Sequence, residues 1–136
     1  MKSSVNSREK GKRGERQWRD ELRANGYMAR RGQQFAGSPE SPDVVCEELN
    51  WAHMEVKCTE RFNVYDAMDQ AIRDAGARRV PFVMHKRNFR RWLVVMQAET
   101  FFRLLRGDFT EGNEVVLCLV NGFFIKVVHR SKRWIY

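Results

Sequence analysis

The chain has 136 residues, with 25 Lys and Arg against 17 Asp and Glu, a formal charge of +8. That length allows one domain with its own core, and 43% apolar residues exclude wholesale disorder. No apolar run approaches the ~20 residues a membrane-crossing helix needs, and the polar, basic start MKSSVNSREKGKRGER lacks the apolar stretch of a secretory signal, so a cytoplasmic protein with no membrane partner is expected.

Residues 1–10, rich in Ser and charge, are expected to be a flexible basic N-terminus, with residues 11–136 forming a single domain. The first helix is predicted over residues 12–25, where Trp18 and Leu22 share a face and Asn25-Gly26 marks a stop. Tyr27–Arg31 is a short strand candidate, and residues 32–42 (GQQFAGSPESP) have loop composition. Asp43–Leu49 and Trp51–Thr59 carry β-suited residues around Asn50, which reads as a hairpin. A second helix is predicted over residues 65–79, with the apolar stripe Ala67, Met68, Ala71, Ile72 and Ala75. Val80–His85 and Trp92–Met96 are further strands, joined by the basic segment KRNFRR, and Gln97–Arg106 is a third helix. The run VVLCLV-NG-FFIKVV carries a strong hairpin signal at Asn121-Gly122. This order predicts an α/β domain in which a central mixed β-sheet is flanked by helices, followed by a C-terminal β-hairpin. The hairpin is apolar enough to be buried on both faces or to meet a second subunit. The odd number and wide spacing of Cys46, Cys58 and Cys118 argue for reduced thiols rather than a disulfide or zinc framework.

The charge is unevenly spread. Residues 1–31 hold 10 basic and 4 acidic groups (net +6), residues 32–60 hold 1 and 6 (net −5), and residues 61–110 hold 10 and 5 (net +5). An acidic island between basic blocks suits a protein that grips phosphates with its walls and holds a divalent cation between them. The island contains Pro42-Asp43 at the head of one predicted strand and Glu55-Val56-Lys57 in the next. Alternation places Glu55 and Lys57 on one strand face, and hairpin pairing would bring Asp43 towards Glu55. Two carboxylates suit Mg²⁺, which takes one or two protein carboxylates plus substrate phosphate. A neighbouring lysine can orient or deprotonate water, or stabilise developing charge. Glu15 shares a helix face with Trp18 and Leu22, where an acid needs compensation by a cation.

Gly11-x-x-x-Glu15, Ala36-Gly37-Ser38, Pro42-Asp43-Val44 and Glu55-Val56-Lys57 together resemble the motif set of archaeal-type Holliday junction resolvases, members of the PD-(D/E)XK nuclease superfamily. The resemblance covers about residues 9–97 and leaves out the final hairpin and the tail HRSKRWIY. It implies a restriction-endonuclease-like core and a homodimer that cuts four-way DNA junctions with Mg²⁺ or Mn²⁺. It also implies a catalytic set of Glu15, Asp43, Glu55 and Lys57, in which Asp43, Glu55 and Glu15 form the metal-binding cluster and Lys57 handles water. Ser38 falls where the family has a functional loop serine, with Ser41 nearby.

Beside such a motif, two basic groups read as DNA contacts: Lys10, Lys12, Arg13, Arg16 and Arg19 on the first helix, and Lys86, Arg87, Arg90 and Arg91 between the later strands. Gly11 and Gly14 would let the helix backbone approach a phosphate. The expected function is therefore divalent-metal-dependent DNA hydrolysis, most like junction resolution. The alternatives are another structure-specific or duplex-cutting nuclease of the superfamily, or a non-catalytic DNA-binding module.

Overall fold

The computed structural model describes residues 7–32 and 42–109, together with the backbone of residues 114–120 and 123–129. The chain divides into two compact units, Met1–Phe101 and Phe102–Tyr136. The first unit opens with helix α1 (Ser7–Ala24), followed by strands β1 (Ala29–Arg31), β2 (Val44–Cys46) and β3 (Ala52–Cys58). Helix α2 (Val64–Ala75) then leads to β4 (Val80–Lys86) and β5 (Leu93–Val95). Helix α3 (Ala98–Arg106) spans the division, and β6 (Glu114–Val120) and β7 (Phe123–His129) form the antiparallel pair of the second unit.

The five strands of the first unit lie in the order β1-β2-β3-β4-β5. All neighbours are antiparallel except β3 and β4, which run parallel with Met54 opposite Phe82 and Glu55 opposite Val83. A parallel pair needs a crossover, and α2 supplies it. The predicted α/β fold with a helix-flanked mixed sheet is thus what forms.

Residue alternation explains the layers. Met54 of β3 and Phe82 and Met84 of β4 join Trp18 and Leu22 of α1 in one buried cluster, with Val56 packed against it. Val83, on the other side of β4, is buried with Ala67, Met68 and Ala71 of α2. The two helices therefore cover opposite faces of the sheet. Gly14 is where α1 comes closest to β3: a Cβ there would sit 2.8 Å from Cys58 Sγ. That contact packs helix on sheet, and the space around Gly11 is open.

Several boundaries differ from the sequence reading. α1 begins at Ser7, so residues 7–10 are helical rather than loose, with Glu9 in the first turn and paired at 3.4 Å with Lys12. The α1 stop falls at Gly26, which takes a φ of 88°. α2 starts after an Asn63 cap on Asp66 N–H and ends at Gly76 (φ 60°), short of residue 79. β2 stops at Cys46, because residues Glu47–Leu49 turn into a 3-10 helix. Glu48 anchors that turn, its carboxylate accepting from Met28 N–H at 3.1 Å and from the Cys46 thiol at 2.9 Å. Cys46 and Cys58 are free thiols, as expected, and burial together with Glu48 pushes Cys46 up to about 11. Among the described residues no helix is long and apolar enough to cross a membrane.

Candidate active site

β2 and β3 share a single register pair, Val44 with Met54. Beyond it the Asp43 side chain takes the place of a ladder partner, with Oδ2 accepting Val56 N–H at 2.8 Å. The strands part at this point, and the gap is where the acidic residues gather. The approach of β1 to Asp43 is equally tight: Gly32 N–H donates to Asp43 O at 2.9 Å, and a Cβ on Gly32 would collide with the Pro42 carbonyl. Asp43 is therefore fixed by backbone on two sides.

Glu55 and Lys57 project from the same face of β3, as alternation requires, towards α2. Lys57 Nζ lies 2.7 Å from Glu55 Oε1. Gln70 of α2 closes a triangle, its Oε1 accepting from Lys57 Nζ at 2.9 Å and its Nε2 donating to Glu55 Oε1 at 2.9 Å. Glu15 enters from α1 and is held by Arg31 of β1, whose Nε and guanidinium NH2 nitrogen donate to Oε2 at 2.9 and 2.6 Å. The cation that compensates this partly buried acid is an arginine of the neighbouring strand.

Electrostatics confirm that these groups share one neighbourhood. Burial first, and then the charge of Glu55, raise the Asp43 carboxyl to about 7; Glu15 adds to the rise, while the Val56 N–H and Lys57 oppose it. A carboxyl held up by burial and by neighbouring acids is one that a bound cation would relieve, while Glu55 Oε1 is already taken by Lys57 and Gln70. Glu15, Asp43 and Glu55 nevertheless do not form the tightest group. Among the described residues, three ligand atoms come within 4.8 Å of one another at His53, Glu55 and Asp74.

Sequence reasoning missed Gln70, Arg31, His53 and Asp74. Gln70 and Asp74 are four apart and lie beside the apolar stripe of α2, a polar interruption that marks something other than core on that face. His53 is two residues before Glu55 and so faces the same way. Ser38 and its neighbours Ala36, Gly37 and Ser41 lie outside the described residues, as do the side chains of the C-terminal hairpin.

Four of the expected DNA-contact residues, Lys10, Arg13, Arg16 and Lys86, gather around Cys58 at the end of β3. Lys10, Arg13 and Arg16 line a groove of about 480 Å³ together with Gly14, Cys58 and Asn88. Lys86, Lys10 and Arg13 all lie close enough to Cys58 to favour its thiolate against the dominant effect of burial. The two basic segments, far apart in sequence, therefore converge beside the residue that follows Lys57. Lys12, Arg87, Arg90 and Arg91 are exposed, and Arg19 pairs with Asp20 at 2.9 Å. Phe89 sits among the arginines, fully exposed, with a φ of 57°. Compared with known proteins, the chain matches no family model, no curated protein and no solved structure.

Proposed function

We propose that this chain is a Mg²⁺- or Mn²⁺-dependent DNA endonuclease with a restriction-endonuclease-like core, acting as a homodimer on branched DNA in the manner of a Holliday junction resolvase. The observation that carries the reading is the Asp43 carboxylate on Val56 N–H, with Glu55 and Lys57 beside it, at the point where β2 leaves β3. A sheet of this order with a parallel β3–β4 pair and helices on both faces supports the fold part of the reading.

Asp43 and Glu55 would hold the cation, which when bound supplies charge stabilisation on phosphate oxygens and a more acidic water. The protein's own groups do the rest. The backbone of Val56 fixes the orientation of Asp43, and Gln70 fixes Glu55 and Lys57 relative to each other. Lys57, 2.7 Å from Glu55 Oε1, would hold or take a proton of the attacking water. Arg31 holds Glu15 at the edge of the cluster through two nitrogens on Oε2. Lys10, Arg13, Arg16 and Lys86 line the approach for the sugar–phosphate backbone, and Phe89 offers an aromatic face to an unstacked base.

The test is cleavage of labelled four-way junctions, duplex, flap and single-stranded DNA with Mg²⁺ and with chelator. Symmetric, metal-dependent nicks in the junction are expected. Equal cutting of plain duplex would remove junction specificity, and cutting that survives Glu55→Gln would remove the metal mechanism. The closed Lys57–Glu55–Gln70 triangle favours one competitor, a non-catalytic DNA-binding module. That reading requires junction binding without cleavage under any divalent ion.

A further inference from the structure

His53 is fully buried, at 0% exposure, and neither of its ring nitrogens has a hydrogen-bond partner. Leaving a buried imidazole without a partner is costly, because the ring has given up its water and gained nothing in exchange. Its Nε2 faces Glu55 Oε2 at 4.0 Å, too far for a hydrogen bond, and the Asp74 carboxylate completes a group whose ligand atoms all lie within 4.8 Å of one another. The two oxygens of Glu55 thus have different surroundings: Oε1 is taken by Lys57 and Gln70, while Oε2 is turned towards His53.

We propose that His53 Nε2, Glu55 Oε2 and Asp74 form a second cation site, between β3 and α2, for a borderline transition metal of the Zn²⁺ class. One imidazole and two carboxylates are ligands for such ions rather than for Mg²⁺, which prefers an all-oxygen shell. At zinc–ligand distances of about 2.0–2.1 Å, tetrahedral neighbours lie about 3.3 Å apart, so the ligand atoms, all within 4.8 Å of one another, close by at most about 1.5 Å on binding. Asp74, half-buried where the other two are buried, is the side from which the ion and a water ligand enter. A bound ion would tie α2 to β3 and fix the carboxylate plane of Glu55. The site does not depend on the nuclease reading, because it needs neither DNA nor Asp43.

The probe is Co²⁺, whose visible absorption reports its ligands, titrated into chelator-treated full-length protein, with Zn²⁺ used to displace it. One equivalent of bound Co²⁺ with nitrogen and oxygen coordination is expected. Binding should weaken at least tenfold in Asp74→Asn and in His53→Gln and persist in Asp43→Asn. Asp74 lies on the accessible side of α2, so Asp74→Asn tests the site even where His53→Gln disturbs folding; circular dichroism reports which occurs. Absence of stoichiometric binding, binding unchanged in Asp74→Asn, or thiolate absorption that disappears in Cys58→Ser would each overturn the proposal. Failure of DNA cleavage with Mg²⁺ would leave all of these readouts intact.

Discussion

Asp43 carries an unusual burden. Its carboxyl is surrounded by Glu55, Glu15 and low-dielectric protein, and Val56 N–H and Lys57 only partly offset them. Because its folded value, about 7, stands above the unfolded 3.8, the metal-free folded state keeps a proton that the unfolded chain has released. The stability this provides is whole below the unfolded value and is lost as pH rises through the folded one. Thermal melts in chelator should therefore show wild type losing several degrees against Asp43→Asn between pH 5 and pH 8, and divalent-cation affinity should rise over the same window. A flat difference between the two proteins would mean that Asp43 is not crowded by acids. At Glu55 and Lys57, substitution by Gln and Ala is expected to lower Mg²⁺-dependent cleavage at least ~100-fold while the fold persists, read by single-turnover cleavage beside a melt.

At the scale of elements, the site is a consequence of where strands stop. Gly32 and Pro42 pinch the base of the segment that joins β1 to β2, and Asp43 follows directly. Gly32→Ala forces a Cβ into the Pro42 carbonyl, which cannot move without moving Asp43. The expected cost is about 1–3 kcal/mol of stability, with a larger proportional loss of cleavage than of folded protein. Arg31→Ala strips Glu15 of its ion pair across α1 and β1 and should cost about 1–3 kcal/mol in chemical denaturation. The sequence contained much of this. E-x-K alternation predicted the shared face of Glu55 and Lys57, and Asn25-Gly26 predicted the end of α1. Apolar spacing placed both helices. What it did not contain is the early end of β2, where residues 47–49 turn and Glu48 accepts from Met28 N–H, a partner twenty residues away that no local window shows. Gln70 was equally hidden, since an amide on a helix face shows its partners only when the helix is docked.

For the molecule as a whole, the charge pattern becomes a surface. Blocks separated by the acidic island in sequence come together at the end of β3 and β4, which is a long-range property no local window reveals. Each of Lys10, Arg13, Arg16 and Lys86 that touches a phosphate adds about one counterion to the salt dependence. Single Ala variants should lower the slope of log affinity against log salt by about one, measured by fluorescence anisotropy on a fixed junction. Phe89→Ala should leave both slope and melting temperature unchanged, yet weaken binding to junctions relative to duplex, as loss of a stacking face would.

The parallel pairing of β3 with β4 has a consequence for synthesis. Glu15, Asp43, Glu55 and Lys57 have all been made by the time the ribosome passes β3, but the strand that carries two of them is interior only when β4, residues Val80–Lys86, lies alongside, with α2 crossing between. Contacts of such sequence separation form late. A nascent or truncated chain ending before β4 therefore holds Glu15, Asp43, Glu55 and Lys57 with β3 left as a sheet edge, and the proposed chemistry is expected only once the crossover has closed.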